Sequence, residues 1–390
     1  MKIQVHWWSR VSIIANNFFC AGQLLRIPII FFCVLLAIVL VSLTLLYSAG
    51  HGLSPWCLKQ FYHFIAGLFV MSVIATTPIR FWASFAYVFY AVALLGLALT
   101  AVLGSIGMGA QRWLTIASIR FQPSELMRIA LVVALARRLS DVPSSSGGFG
   151  GVRGISTSCI LVIIPVLITL KQPDLGTAVL LTAGSVATFF FAGLRWRVIF
   201  STLFCLGAMA PVLWHFLRDY QKNRILTFLN PEKDPLGNGY HIIQSKIAIG
   251  SGGFWGKGFM HGTQGALDFL PEKHTDFIFT LLSEEFGFIG VVLLIALYST
   301  LIFFNFSLTT LLKDDFAKLV IAGLTVSFSL YAIINISMVV GLLPVVGIPL
   351  PLVSYGGTSL ITLLIGQGII LSAAFSLPKR HDISSFLRRS

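Results

Sequence analysis

The stretch Leu267-Asp268-Phe269-Leu270-Pro271-Glu272-Lys273-His274-Thr275-Asp276-Phe277-Ile278-Phe279 takes the chain from polar residues straight into an apolar run. A carboxylate at such a seam is partly desolvated, a setting in which carboxylates become general bases. Asp276 holds that position. Lys273 and His274 lie within a turn of it and could neutralise an anionic substrate. The same spacing has a plainer reading, in which Thr275 or Asp276 caps a helix N-terminus.

Other ionisable residues recur near apolar segments. Arg112 and Trp113 lie in Gly109-Ala110-Gln111-Arg112-Trp113-Leu114; such a pair anchors a chain at a membrane interface or lines a site there. Glu125 and Arg128, in Phe121-Gln122-Pro123-Ser124-Glu125-Leu126-Met127-Arg128, are three apart. Pro and Glu in a first turn suit the helix dipole. Yet two charges on one helical face at membrane depth are normally paired or functional. Asp174 follows Pro173 and caps the next helix, or faces a wet groove together with Lys171. Glu284 and Glu285 fall about 12 Å below Asp276 at 1.5 Å per residue, off its helical face, as braces of a helix bundle. Gly250-Ser251-Gly252-Gly253-Phe254-Trp255-Gly256-Lys257-Gly258 has the look of a phosphate loop. It lacks the hydroxyl residue after the lysine and follows no strand, which leaves a tight turn offering amides to a lipid phosphate. No zinc-type spacing occurs.

The elements holding these residues must be membrane helices. Of 390 residues 56% are hydrophobic and only 11% charged, and mean hydropathy is +0.89. A soluble core could not hide that much apolar surface. The formal charge of +13 is spread over short connections and both ends, which fixes orientation in a bilayer and argues against nucleic acid as a partner. The five cysteines show no metal or disulfide pattern. Ten spans are expected, over 27–48, 59–77, 81–104, 123–140, 156–171, 175–194, 197–217, 276–304, 317–341 and 357–376, in an all-α fold. Residues 1–25 read as an amphipathic cytoplasmic leader and 378–390 as a basic cytoplasmic tail, with the membrane domain over 26–377. Basic residues at both ends demand an even number of spans. Four connections then share the outer side: 104–122, the hairpin at Gln172, the long loop 218–275 between spans 7 and 8, and 342–355. Within the long loop, Tyr240–Gly250 reads as an amphipathic helix lying on the membrane surface.

Taken together, Gly109–Leu114, Phe121–Arg128, Gln172–Gly176, Asn230–Gln244, Phe269–Phe279 and Pro349–Ser359 closely resemble the SEDS family (shape, elongation, division and sporulation), the RodA, FtsW and SpoVE proteins. The runs Asn230–Gly237 and Gln244–Gly252 resemble its elongation branch, RodA. The resemblance implies a peptidoglycan glycosyltransferase of the bacterial inner membrane that polymerises lipid II on the outer leaflet. It also implies a class B penicillin-binding protein as partner, among other elongation or division proteins, and no organic cofactor. The family's essential loop aspartate falls on Asp276, and Trp113, Glu125, Arg128 and Asp174 fall on positions around its central groove. The family commonly carries lysine where this chain has Arg128, a rigid fork that does not titrate as lysine does.

Asp276 is then expected to take the proton of the acceptor's 4-hydroxyl. Cationic groups, or a divalent ion such as Mg2+ or Mn2+, would stabilise the undecaprenyl pyrophosphate that departs. Lys273, Arg112 and Lys257 are the side chains for that task. A lipid II flippase and a non-enzymatic scaffold are the competing readings, and no inverted repeat favours the first.

Overall fold

The computed structural model describes residues 26–107, 110–116, 119–141, 151–209, 211, 214–215, 217, 219–234, 237–263 and 273–376. The expected leader 1–25 and tail 378–390 lie outside them. Every expected span coincides with a helix: α1 (Arg26–Ala49), α2 (Pro55–Thr76), α3 (Ile79–Leu103), α4 (Pro123–Ser140), α5 (Gly151–Lys171), α6 (Leu175–Phe191), α7 (Trp196–Ala208), α10 (Ile278–Leu311), α11 (Asp315–Val340) and α12 (Gly357–Phe375). Among the described residues, α1–α3 and α10–α12 are long and apolar enough to cross a membrane; α5 and α6 are apolar but shorter. Helix α7 ends at Ala208, with its C-cap at Met209, and Pro211, Trp214 and His215, farther along the expected span, are again helical. Pro211, two residues past that cap, lacks the N–H a continuing helix requires.

The α5–α6 hairpin falls where the sequence places it. Asp174 is the N-cap of α6 and accepts from Thr177 N at 3.2 Å. The connection 104–122 holds structure the sequence reading did not foresee: three short antiparallel strands, β1 (Ser105–Gly107), β2 (Ala110–Ile116) and β3 (Ile119–Phe121). Its Ile, Thr, Trp and Phe residues are the strand-prone signal that was there to be read.

Helix α4 is the hub, packed against α3, α5, α6, α11 and α12. Almost every residue from Pro123 to Ala136 is buried, as befits a helix surrounded by other helices. By contrast, Leu36 of α1, Phe69 of α2 and Phe204 of α7 are exposed; these outward apolar faces are what lipid covers. Two polar helices, α8 (Asp219–Leu229) and α9 (Asn238–Gly252), with a 3-10 turn at Pro231–Lys233, fill the described part of the long connection.

Helix α9 corrects the surface-helix expectation. It packs on α10 and α11, burying Ile242, Ser245 and Ala248. Ser245 Oγ donates to Val339 O at 2.9 Å. Only part of its apolar side, such as Ile247, is left for another surface.

The glycine-rich turn after α9 also has a different task from the expected one. Helix α10 breaks at Gly287 (φ 60°, ψ −157°), a conformation that is nearly glycine's alone. The turn supplies the missing backbone partners: Lys257 N donates to Glu284 O (2.9 Å) and Gly258 N to Glu285 O (3.0 Å). In return Phe288 N donates to Gly253 O (3.0 Å) and Ile289 N to Phe254 O (3.3 Å). The Lys257 and Gly258 amides therefore serve α10, as buried backbone in an apolar setting must be served.

A Cβ on Gly287 would collide with the backbone of Phe254, Trp255 and Gly256. Gly287→Ala should therefore destabilise the detergent-solubilised protein by at least about 1–3 kcal/mol, read as a lower unfolding temperature. Gly207→Ala, with nothing within 4 Å of the new methyl, should leave that temperature unchanged.

Candidate functional site

The four connections assigned to one side of the bundle do meet in space. Arg112, on β2, approaches the α5–α6 hairpin: its Nε lies 3.5 Å from Asp174 Oδ2 and its NH2 donates to Pro173 O at 3.2 Å. Arg224, on α8, donates to Val346 O at 3.3 Å in the connection after α11. On that same connection Gly347 lies next to the Asp276 carboxylate; a Cβ built there would be 3.5 Å from Oδ2. Arg224 feels Arg112, Asp174 and Asp276 together. Two guanidinium groups and two carboxylates thus share one end of the bundle.

Arg224 is the residue the sequence reading missed. It sits in a helix of ordinary polar composition, and nothing in its neighbours distinguishes it from Arg218 or Lys222. Burial foremost, and then the Arg112 cation, pushes it below the ordinary arginine value, while Tyr220, Asp174 and Asp276 oppose the shift. Arginine's margin is wide enough that the group stays charged.

The segment carrying Asp276 is held by side chains of the surrounding helices. Asn335 Nδ2, from α11, donates both to Asp276 O (2.9 Å) and to Ile348 O (2.6 Å). Ser354 Oγ donates to Thr275 O (2.6 Å) and accepts from Leu350 N (2.7 Å), and Tyr355 N donates to His274 O (2.9 Å). Beneath, Gln60 takes Gly356 N and donates to Ser354 O, Ser42 donates to Val353 O, and Tyr298 donates to Pro351 O. The Pro349–Ser359 motif is therefore the scaffold of Asp276. The capping alternative is weakened, because the N-cap of α10 falls on Phe277, which makes no side-chain cap bond. Asp276 is half-buried, Lys273 is buried, and His274 stacks on Trp56 with ring centroids 4.5 Å apart.

Below this layer lies a second charged group. Glu125 and Arg128 pair at 3.1 Å on the same face of α4, both buried. Tyr331 of α11 donates to Glu125 Oε1, and the Arg128 guanidinium lies 4.1 Å from the centroid of the Tyr331 ring. Tyr331 was also invisible in the sequence, where it reads as one more aromatic in an apolar helix. It feels Asp174 as well as Glu125 and Arg128, which links the two layers.

One expected site residue is placed otherwise. Lys257 Nζ lies 2.7 Å from Glu284 Oε1 and donates to Thr263 Oγ1 at 2.8 Å. Its charge is committed to the turn that mends α10, not to a leaving group. Trp113 is half-buried on β2 opposite Ser105, next to Arg112 at a bulge in the β1–β2 ladder. Glu285 accepts from Ser48 of α1, so both acids brace the bundle as expected. Among the described residues no three His, Cys, Asp or Glu side chains cluster as a metal cage.

This arrangement places one carboxylate on a rigid loop beside two guanidinium groups, open to a half-exposed face. It can hold an anion and move a proton. A family model described as a cell cycle protein, covering FtsW, RodA and SpoVE, matches residues 23–378. The peptidoglycan glycosyltransferase MrdB of Escherichia coli K12 is 42% identical over 341 residues, 87% of this chain and 91% of that relative. MrdB of Helicobacter pylori is 39% identical over 342 residues, 87% of each. Among solved structures, a chain from a study of how a peptidoglycan synthase complex coordinates polymerization and crosslinking superposes with a TM-score of 0.77 at 33% identity, covering 90% of this chain and 98% of that one. The rod shape determining protein RodA of Thermus thermophilus gives 0.68 at 28% identity, covering 90% and 97%.

Removing one member of the buried Glu125–Arg128 pair leaves the other charge uncompensated. Glu125→Ala should cost roughly 3–5 kcal/mol in thermal or denaturant unfolding, well beyond the loss from Arg137→Ala, whose partner Asp141 is exposed.

Proposed function

This chain belongs to the FtsW, RodA and SpoVE family, and on that footing we propose a mechanism for it as a peptidoglycan glycosyltransferase. It is a multi-pass membrane protein. Its substrate is lipid II, and the end of the bundle bearing Asp276 faces the outside of the inner membrane, with both termini in the cytoplasm. The observation that carries the reading is the half-buried Asp276 in the field of Arg224, with Arg112 at the same end of the bundle, on a backbone held by three hydrogen bonds.

Asp276 accepts the proton of the acceptor sugar's 4-hydroxyl as that oxygen bonds to the donor's anomeric carbon. The bond from that carbon to the diphosphate oxygen breaks, and the electron pair leaves with undecaprenyl diphosphate. Arg112 and Arg224 stabilise this growing negative charge, since fixed cations in a partly dry site need no reorganisation. Two guanidinium forks also match phosphate oxygens better than ammonium groups would. Lys273, buried in the same segment, adds positive charge nearby. Glu125, Arg128 and Tyr331 form the floor that keeps Asp174 and Arg112 in place.

The side chains present do not fit a cation held by the protein alone, because Asp174 is already paired and no third acidic or imidazole ligand joins Asp276 among the described residues. A class B penicillin-binding protein is the partner, by analogy with the synthase complex above, which coordinates polymerization and crosslinking.

Purified protein incubated with lipid II in vesicles tests this directly. Asp276→Asn should lower glycan-chain formation by about 10²–10⁴-fold at an unchanged unfolding temperature. Near-normal polymer from that variant would sink the assignment of the base. Leaflet exchange of lipid II without polymer would favour the flippase instead. In the same assay Arg224→Gln should cost about 10²–10³-fold in turnover, whereas Lys257→Gln should act on stability first.

A further inference from the structure

Beneath the Glu125–Arg128–Tyr331 group, α4, α11 and α12 line a partly open cavity of about 20 Å³. Its apolar walls include Leu324 and Phe328, but four polar residues also line it: Arg128, Ser327, Thr362 and Gln367. Their exposures are 4%, 3%, 2% and 2%, so the polar groups belong to the interior of the bundle and not to its rim. A space of roughly 10–15 Å³ accommodates one water, provided two to four polar groups surround it; an apolar void of similar size stays dry.

The polar groups here have unmet needs. Arg128 gives NH2 to Glu125 Oε2 at 3.1 Å and lays its flat face on the Tyr331 ring. Its Nε is buried with no hydrogen-bond partner among the described residues, and so is Ser327 Oγ. Thr362 spends its hydroxyl hydrogen on its own helix, at Thr358 O and Ser359 O. Gln367 accepts from Asn305 Nδ2 at 3.2 Å through its oxygen. A guanidinium N–H that finds no acceptor in such surroundings is costly, and Arg128 and Ser327 line the same cavity.

We propose that this cavity binds one ordered water, which accepts from Arg128 Nε–H and bridges it to Ser327 Oγ and Gln367. Ser327 and Gln367 are then positioning residues: through the water they fix the plane of the guanidinium against Tyr331, and so the place of Glu125. The water answers a demand peculiar to arginine. A lysine at 128 would carry its charge on one terminal nitrogen and present no Nε–H to the cavity. The effect on catalysis rests on the reading of Glu125 and Arg128 as the floor of the transferase site; the water itself does not.

A double-mutant cycle tests it on the full-length protein in detergent. Ser327→Ala and Gln367→Met, each alone, should lower the unfolding temperature and reduce lipid II turnover by roughly threefold to tenfold. In an Arg128→Lys background the same two substitutions should change both quantities far less. Equal effects in the two backgrounds would overturn the proposal, since plain packing damage does not depend on whether residue 128 has an Nε–H. An experimental map that resolves ordered waters gives the second readout: density within hydrogen-bond distance of both Arg128 Nε and Ser327 Oγ is expected, and a featureless cavity overturns the idea. Coupling in unfolding temperature does not depend on what the site catalyses. A mistaken reaction would therefore leave it intact, while a dry cavity would abolish it.

Discussion

The carboxamide of Asn335 donates to the carbonyl of Asp276 on one side and to that of Ile348 on the other. Both carbonyls belong to irregular backbone packed among apolar helices, where a peptide group without a partner costs several kcal/mol by the usual estimate. A helix satisfies its own backbone; a loop inside a bundle cannot. Everything that makes Asp276 a precise fixture follows from that constraint. Ser42, Gln60, Tyr298 and Ser354 are buried polar side chains on separate elements, and each meets the same 348–356 backbone. The loop is consequently held from several directions and cannot drift without breaking several bonds together.

The same economy governs the charges. Two ion pairs hold charges near the site: Arg112 with Asp174, and Arg128 with Glu125. Arg224 lies in the field of Asp174 and Asp276 without a tight pair of its own among the described residues, which suits a cation that is to meet an anionic ligand. The bland and the functional readings of these residues are not exclusive. Asp174 caps α6 through Thr177 and also neutralises Arg112. A residue that does both cannot be replaced by one that does either.

Helix α10 shows how far the constraint reaches from the site. Its break at Gly287 exposes carbonyls and amides that the turn 253–258 satisfies, and the ion pair of Lys257 with Glu284 fastens the two together. The run of glycines that looks like a phosphate loop is a patch on a broken helix. Glycine is required there because backbone lies against backbone: Gly252 and Gly256 abut Ser283 and Glu285 with no room for a Cβ.

Composition and periodicity by themselves marked out apolar segments that coincide with helices, the connections that gather at one end of the bundle, and the seam at Asp276. Those features are local, written in twenty-residue windows and in where the basic residues fall. Most helices of the structure begin and end close to where the windows do, α7, which ends at Ala208, and α10, which runs on to Leu311, being the exceptions. The pairing of Glu125 with Arg128 was legible too, since three residues on one helix fix a distance. What only the tertiary structure decided is which distant residues share a space. Arg224 and Asp276 are about fifty positions apart, Tyr331 and Glu125 about two hundred; no spacing rule reaches that far. Lys257 was misplaced for the same reason. Sequence gives a lysine its charge, but only the packing of α10 decides that a buried glutamate claims it.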